Sequence, residues 1–195
     1  GYKPVYLDIS DRNLNFSLAT LVSDIGCLII QNTLGYPCDM TEIEKFCKEK
    51  SIFLIEDLAH SVGTKYKDGR GAGTVGDFVM LSFGKGKIID GVSGGALITR
   101  NKNYQGKNMR LENVGMRQQS MDRFYPIFTY FIRATYKIGI GKLIHALLRE
   151  TGALPTPMGN DTGELQTLPH WYSKLAYGAF VRLESDLKHR REIAQ

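Results

Sequence analysis

The chain has 195 residues, of which 43% are apolar and 23% are charged, and these values indicate a globular protein able to bury a sizeable core. Its three cysteines form no Cys-x-x-Cys pair, so neither a disulfide framework nor a zinc site is favoured, and we predict a reduced, cytoplasmic protein. The net charge of +5 lies in the second half, where residues 101–195 carry 14 basic and 8 acidic side chains, but no nucleic-acid-binding motif accompanies it.

The sequence begins with neither Met nor the basic and apolar regions of a signal peptide, so we expect a fragment of a longer cytoplasmic protein. The first elements that the pattern predicts are a strand at residues 5–8, a helix at residues 18–23 and a strand at residues 27–31. These elements are short, as expected for alternating strands and helices.

The next helix has the clearest start signal of the chain. Thr41 and Glu44 form a capping-box pattern after Pro37. The apolar face of this predicted helix consists of Ile43, Phe46 and Cys47. A strand at residues 52–56 follows after a short turn, so strand, helix and strand form a unit that is suited to a right-handed parallel crossover.

Polar residues stand at the ends of two predicted strands. Asp57 follows the strand at residues 52–56, and Ser82 ends the apolar run of residues 78–81. Because ligands of parallel sheets gather at the carboxyl ends of the strands, we expect both side chains at one rim. Lys87 comes five residues after Ser82. An acid, a hydroxyl and a lysine in this order suit a pyridinium nitrogen, a phosphate and an aldehyde, so the pattern favours a pyridoxal phosphate (PLP) site.

Each of these residues has a functional and a structural interpretation. Asp57 is the candidate partner of the pyridinium nitrogen, because an ionised carboxylate keeps that nitrogen protonated; alternatively, it caps the next turn. Ser82 is the candidate donor to the phosphate, or it simply ends a strand. Lys87 is the candidate nucleophile and proton carrier, with Lys85 as its rival. The glycine motif at residues 71–76 does not lie between a strand and a helix, so a dinucleotide site is not favoured.

These motifs resemble those of the DegT/StrS sugar-nucleotide aminotransferases, a family of fold-type I PLP enzymes. The likeness rests on Asp8 at a strand end, the strand and Gly-x-Pro loop of residues 28–37, the Glu-Asp-x-Ala-His segment 56–60, the Ser-Phe-x-x-x-Lys segment 82–87 and Gly94-Gly95. It is strong over about the first half of the chain. The resemblance implies an α/β fold, namely the three-layer α/β/α large domain of aspartate aminotransferase-like enzymes, here only in part.

The resemblance also implies an activity. Family members transfer an amino group, as a rule from glutamate, to a ketosugar carried on a nucleotide, in amino-sugar and cell-surface polysaccharide biosynthesis, and they are expected to be homodimers. The family lysine stands five residues after its serine, which favours Lys87 over Lys85 as the residue that binds the PLP aldehyde. His60 corresponds to a position beside the cofactor ring or its phenolic oxygen, although a lone histidine is more often structural.

The same resemblance implies that both ends of the enzyme are missing: an N-terminal turn that binds the cofactor phosphate, and a C-terminal small domain. The chain is then divided into a large-domain core at residues 1–115, a helical insertion and loop at 116–168 and a long helix at 169–195. Before that helix, many relatives carry Asn-x-Arg, which contacts the phosphate of the neighbouring subunit. Residues 167–170 here read Thr-Leu-Pro-His and depart from that pattern.

Two further interpretations remain open. The chain could be a truncated, non-catalytic family member that acts as a binding module, or a related PLP-dependent sugar dehydratase, although that branch tends to have His in place of the lysine. Residues 124–148 are aromatic and apolar but contain three basic residues, so we predict a helical insertion packed on its own domain or on a partner rather than a transmembrane helix. Contact of this segment with a membrane surface is the alternative. A loop is predicted at residues 152–167.

Overall fold

The computed structural model describes residues 3–10, 14–21, 24–104, 110–151 and 165–194. The chain folds as two compact units. Gly1–Lys107 together with Trp171–Gln195 form the first, which we call the α/β unit, and Asn108–His170 form the second, which we call the helical unit.

A four-stranded sheet forms the centre of the α/β unit. Its strands are β1 (Cys27–Gln31), β2 (Phe53–Asp57), β3 (Phe78–Ser82) and β4 (Gly95–Thr99), arranged in this order. The first three strands are parallel, and β4 is antiparallel to β3. The strand predicted at residues 27–31 is confirmed. The strand predicted at residues 52–56 is also present, shifted by one residue so that Asp57 belongs to it.

Helix α1 (Met40–Lys50) packs its apolar face into the core of the α/β unit. Met40, Ile43 and Cys47 of this helix are buried with Leu28, Ile30 and Leu54 of the sheet. The capping residue is Asp39, whose Oδ1 accepts a hydrogen bond from the Glu42 amide at 3.4 Å. The capping box predicted at Thr41 and Glu44 is therefore wrong, because burial of Met40 starts the helix one residue before Thr41.

Two predictions for the first residues are also wrong within the described part of the chain. Residues 5–8 form no strand, and only Ile9 makes an isolated bridge, to Phe16. Val5 and Tyr6 are 46% and 90% exposed, so this segment lacks the buried face that would hold a strand in place. The predicted helix at residues 18–23 is a short 3₁₀ turn at Leu18–Thr20, and residues 22–23 lie outside the described residues.

The helical unit contains α2 (Met116–Thr135) and α3 (Ile140–Glu150), joined by four residues. The helices approach each other closely at Gly141, where a β-carbon would overlap the carbonyl oxygen of Ile132 and lie 2.9 Å from the Tyr136 Cα. The helical insertion predicted around residues 124–148 is therefore a pair of helices. Neither these nor the other described helices are long and apolar enough to cross a membrane. The loop predicted at residues 152–167 lies mostly outside the described residues.

The α/β unit ends with α4 (His170–Val181) and α5 (Leu183–Ile193), where a single long helix was predicted. The two are separated at Arg182, whose backbone keeps a right-handed helical conformation. Helix α4 lies against the loop that precedes β4, since a β-carbon on Gly91 would be 3.0 Å from Ala176 Cβ and 3.3 Å from the Tyr172 carbonyl oxygen.

Candidate functional site

The carboxyl ends of β2 and β3 form the rim on which the site is built. Asp57 of β2 pairs with Met80 of β3, and the Leu58 amide donates to the Met80 carbonyl at 2.9 Å. Ser82 is two residues farther along β3, at its end. Parallel pairing therefore places Asp57 and Ser82 at the same edge of the sheet, and both are half-buried.

Asp57 is held by the turn that follows it. Its Oδ1 accepts a hydrogen bond from the Ala59 amide at 2.9 Å, and the buried Ser61 hydroxyl donates to the Asp57 carbonyl at 3.4 Å. Asp57 therefore does cap the turn, as its structural interpretation predicts, but it uses only one carboxylate oxygen to do so. A carboxylate has two oxygens and several lone pairs, so the cap orients the group and is compatible with a second contact to a ligand.

The loop that carries Lys87 is tied to the sheet at both ends. The Phe83 amide donates to the Gly94 carbonyl at 2.8 Å, and the Gly91 amide donates to the Phe83 carbonyl at 2.9 Å. Within the loop, the Lys87 amide donates to the Gly84 carbonyl at 3.1 Å. These hydrogen bonds close the loop into a compact turn beside the end of β3.

Asp90 belongs to the same loop and binds two of its backbone amides. One of its carboxylate oxygens accepts from the Gly86 amide at 2.9 Å, and the other accepts from the Val92 amide at 2.8 Å. Gly86 has a φ of 81°, a left-handed conformation that glycine adopts without steric strain. The backbone next to Lys87 therefore has a defined conformation.

Three of the predicted site residues are brought together. Lys87 Nζ lies 3.1 Å from His60 Nε2, and the tautomer of the imidazole decides which atom donates. A β-carbon placed on Gly84 would lie 3.7 Å from Ser82 Oγ and 4.0 Å from Lys87 Cγ, so these two side chains flank the same space. Lys85, the rival nucleophile, lies two residues earlier in this loop and is also half-buried.

Glu56 is an important residue to which the sequence patterns assigned no role. It is completely buried, and its carboxylate accepts four hydrogen bonds: from the Tyr66 hydroxyl at 2.5 Å and from the amides of Gly73, Val75 and Gly76 at 2.6, 2.8 and 2.5 Å. The glycine motif at residues 71–76 therefore wraps around a carboxylate of its own chain. Its backbone amides are directed inward and stabilise the turn that leads into β3.

A buried chain of hydrogen bonds extends this arrangement to β1. Asn32, which follows β1, donates through Nδ2 to the Tyr66 hydroxyl at 3.2 Å and accepts from the Cys38 amide at 2.9 Å. Burial raises the pKa of the Tyr66 hydroxyl, and its hydrogen bond to Glu56 raises it further. Tyr66 therefore stays protonated and donates to Glu56. The network joins the carboxyl ends of β1 and β2 beneath the rim.

The groups at the rim suit the chemistry of PLP. Asp57 offers a carboxylate to a protonated pyridine nitrogen, Ser82 offers a hydroxyl to a phosphate oxygen, and Lys87 offers an amine to an aldehyde. The space around Gly84 brings the hydroxyl and the lysine stem within about 4 Å of one position. These residue types therefore fit the cofactor that the sequence motifs predict.

Comparison with known proteins identifies a family and relatives within it. The family model for the DegT/DnrJ/EryC1/StrS aminotransferase family matches residues 1–142. GDP-perosamine synthase of Escherichia coli O157:H7 is 29% identical over 120 residues, which are 60% of this chain and 33% of that protein. The dTDP-4-dehydro-2,3,6-trideoxy-D-glucose 4-aminotransferase of Saccharopolyspora spinosa is 32% identical over 124 residues, which are 62% of this chain and 32% of that protein. The match thus spans about a third of the length of these relatives.

Solved structures show the same fold. The aminotransferase TlmJ from Streptoalloteichus hindustanus superposes with a TM-score of 0.60 at 21% identity, covering 98% of this chain and 44% of that chain. At this identity the similarity is evidence of fold alone. It confirms the predicted α/β fold, the large domain of a fold-type I PLP-dependent transferase, present here in part.

Proposed function

Because this chain belongs to the DegT/DnrJ/EryC1/StrS aminotransferase family, we propose that it is the catalytic part of a PLP-dependent aminotransferase. It moves an amino group from an amino acid, glutamate, to a nucleotide-linked ketosugar. The observation that carries this proposal is the approach of Lys87 to His60, beside Ser82, at the carboxyl ends of the strands. The nucleotide-sugar names of the two curated relatives support the substrate class.

Each rim residue has a separate task in this proposal. Asp57, oriented by the Ala59 amide, keeps the pyridine nitrogen protonated. The Ser82 hydroxyl donates to a phosphate oxygen. When bound, PLP supplies the electron sink that stabilises the carbanion of the amino-acid substrate. With the cofactor bound, Lys87 would hold it through its aldehyde group, and the freed amine would carry a proton at the substrate α-carbon.

His60 acts on Lys87 in this proposal. An imidazole 3.1 Å from the amine restricts where Nζ points before the cofactor arrives. The contact holds the Lys87 amine at the rim instead of leaving it extended into solvent. Retention of lysine at this position favours amino transfer over the dehydratase interpretation.

We propose that the protein acts in the cytoplasm as a homodimer, in amino-sugar biosynthesis for cell-surface polysaccharide. Because the match spans only about a third of the curated relatives, we also propose that a phosphate-binding turn and a small domain complete this active site. In the same proposal, the chain consists of a large-domain core at residues 1–115, a helical insertion and loop at 116–168 and a C-terminal helical segment at 169–195.

Covalent labelling tests the assignment of Lys87. The protein is incubated with PLP and reduced with borohydride, and the modified peptide is sequenced by mass spectrometry. We expect the label on Lys87, its loss in Lys87→Ala and its retention in the matched variant Lys85→Ala. A label on Lys85 would contradict the assigned nucleophile while leaving the cofactor in place.

A longer form of the protein, with additional sequence at both ends, separates the remaining interpretations. If only the longer form is labelled, the proposal holds and this chain lacks part of the cofactor site. If neither form is labelled, the aminotransferase proposal is wrong and the chain is a non-catalytic binding module. Glutamate is then added, without ketosugar, to the form of the protein that PLP labels. It should convert the bound PLP to pyridoxamine phosphate in a single turnover.

A further inference from the structure

The helical unit exposes large apolar side chains at regular spacing. In α3, Ile140, Leu143 and Leu147 are 51%, 72% and 60% exposed. Their spacing of three and four residues places them on one face of the helix. This row of side chains, which we call the α3 stripe, is therefore an apolar face that is open to solvent.

Helix α2 repeats the pattern. Phe124, Ile127 and Phe131 have the same spacing as the α3 stripe and are 48%, 50% and 52% exposed. The connection between the helices adds Tyr136 and Ile138, which are 50% and 72% exposed. The helical unit thus exposes a concentration of apolar surface that is typical of interaction sites.

The α3 stripe is distinct from the face that joins the two helices. Gly141 is buried against α2, and Ile144 and Leu148, three and seven residues later, are only partly exposed. Gly141 and these two residues share one side of α3. The stripe lies on another side, outside the contact that Gly141 makes with α2.

The two helices of this unit carry a net positive charge. Residues 116–150, which span both helices, contain six basic and two acidic side chains, a net charge of +4. Lys142 and Arg149 are exposed and lie on the opposite side of α3 from the stripe. A helix with a large apolar stripe and a basic polar face is typical of proteins that lie in the plane of a membrane interface.

We propose that the helical unit binds the surface of a bilayer that contains anionic lipid. The apolar stripe enters the boundary between headgroups and acyl chains, and the basic side chains contact lipid phosphates. A second copy of this chain fits less well, because it would bring together two helix pairs that each carry a net charge of +4. The contact is peripheral, since no described helix can span the membrane. This binding goes beyond the proposed activity and does not depend on PLP.

Vesicle flotation tests the proposal with the intact protein. The wild type should float with vesicles of equal parts phosphatidylcholine and phosphatidylglycerol, and it should remain at the bottom with phosphatidylcholine alone. High salt should weaken the interaction, because it screens charge at the surface. Equal binding to both vesicles, or binding to neither, would overturn the proposal.

Two double variants test the two parts of the surface. Leu143→Glu with Leu147→Glu, and separately Lys142→Gln with Arg149→Gln, should each reduce vesicle binding by about tenfold or more. The matched controls are Ile193→Glu and the pair Lys188→Gln with Arg191→Gln on α5, which should bind like the wild type. Circular dichroism checks that each variant is folded.

The alternative occupant gives a different result. If the wild type is a dimer that Leu143→Glu with Leu147→Glu dissociates, and if the wild type does not float with either vesicle, then the surface binds a second copy and the proposal is wrong. Folded stripe variants that float like the wild type would equally overturn it.

Discussion

The α/β unit buries a charged side chain at its centre, whereas the helical unit exposes a row of apolar side chains. The α/β unit buries an ionisable carboxylate, Glu56, and provides it with four donors. The helical unit leaves Leu143 and Ile138 each 72% exposed. The buried carboxylate receives all its donors from its own chain, whereas the α3 stripe stays open to solvent within the part of the chain that the structure describes.

The two units illustrate two ways in which a fold can prepare a binding site. In the α/β unit, buried polar contacts fix the backbone beneath the rim before any cofactor arrives, which lowers the entropy that binding must remove. In the helical unit, the exposed apolar face gains stability only when something covers it. Substitutions of the buried residues should therefore change stability, and substitutions on the α3 stripe should change association.

The largest effect on stability is expected for Glu56→Ala. The substitution leaves the Tyr66 hydroxyl and three buried amides without their acceptor, so the free energy of unfolding should fall by about 3–5 kcal/mol in urea titrations. The matched variant Glu49→Ala removes a carboxylate that is 61% exposed and should change it by less than about 0.5 kcal/mol. Similar values for the two variants would contradict the structural role of Glu56.

The same leucine truncation should have different consequences in the two units. Leu54→Ala removes a core side chain that is 3% exposed and should lower the free energy of unfolding by about 2–4 kcal/mol. Leu143→Ala on the α3 stripe should change it by less than about 0.5 kcal/mol. Chemical denaturation of both variants measures the contrast, and a large loss for Leu143→Ala would show that the stripe is covered within the chain.

Two glycine substitutions should change the free energy of unfolding in opposite directions. Gly141→Ala places a methyl group against Ile132 and should destabilise the helical unit by about 1–3 kcal/mol. Gly178→Ala lies within α4, where a β-carbon would meet only Arg182 Nη1, at 3.6 Å, and it should stabilise the α/β unit by about 0.5–1 kcal/mol. Hydrogen exchange of α2, α3 and α4 amides distinguishes the units; faster exchange in α4 of Gly178→Ala would be inconsistent with this packing.

A smaller effect is expected at high pH. Burial raises the pKa of the Cys38 and Cys47 thiols to about 11, from a usual value of 9.0. As the pH rises, the unfolded chain ionises these thiols first, so their stabilising contribution is complete below about pH 9 and is lost between pH 9 and 11. Each thiol contributes on the order of 1 kcal/mol to this loss.

Thermal unfolding from pH 8 to 10.5 measures the decline. The double variant Cys38→Ala with Cys47→Ala should show a shallower decline. The wild type must be compared with it because unfolding also allows the Tyr66 hydroxyl, whose pKa is raised in the folded protein, to ionise at high pH. The helical unit, residues 108–170, contains no cysteine. Hydrogen exchange in α2 and α3 should therefore respond less than in the α/β unit, and an equal response would contradict burial of the thiols as the cause.

The sheet and the rim could be predicted because they depend on strong local patterns. Apolar runs that end in Asp57 and Ser82 define two parallel strands, and parallel strands bring their carboxyl ends together. The approach of Lys87 to His60 was implied by their common assignment to one cofactor. Those site roles remain predictions until the labelling experiments are done.

Other features could not be predicted because they depend on contacts distant in sequence. The helix start at Met40 is set by burial of that side chain, which made Asp39 the cap instead of Thr41. Residues 5–8 have an alternating pattern but too little buried surface for a strand. Glu56 could not be assigned, because its four donors come from a loop that begins ten residues later.

The two adjacent carboxylates of β2 restrict insertions and deletions in this strand. Consecutive side chains of a strand point to opposite faces, so Glu56 faces the buried glycine loop while Asp57 faces the rim. Insertion or deletion of one residue within β2 would reverse this parity and present the shorter aspartate to the amides of the loop. Chimeras that graft this segment between relatives must therefore keep the number of residues within β2, Phe53–Asp57, unchanged, even where the identities of its apolar residues vary.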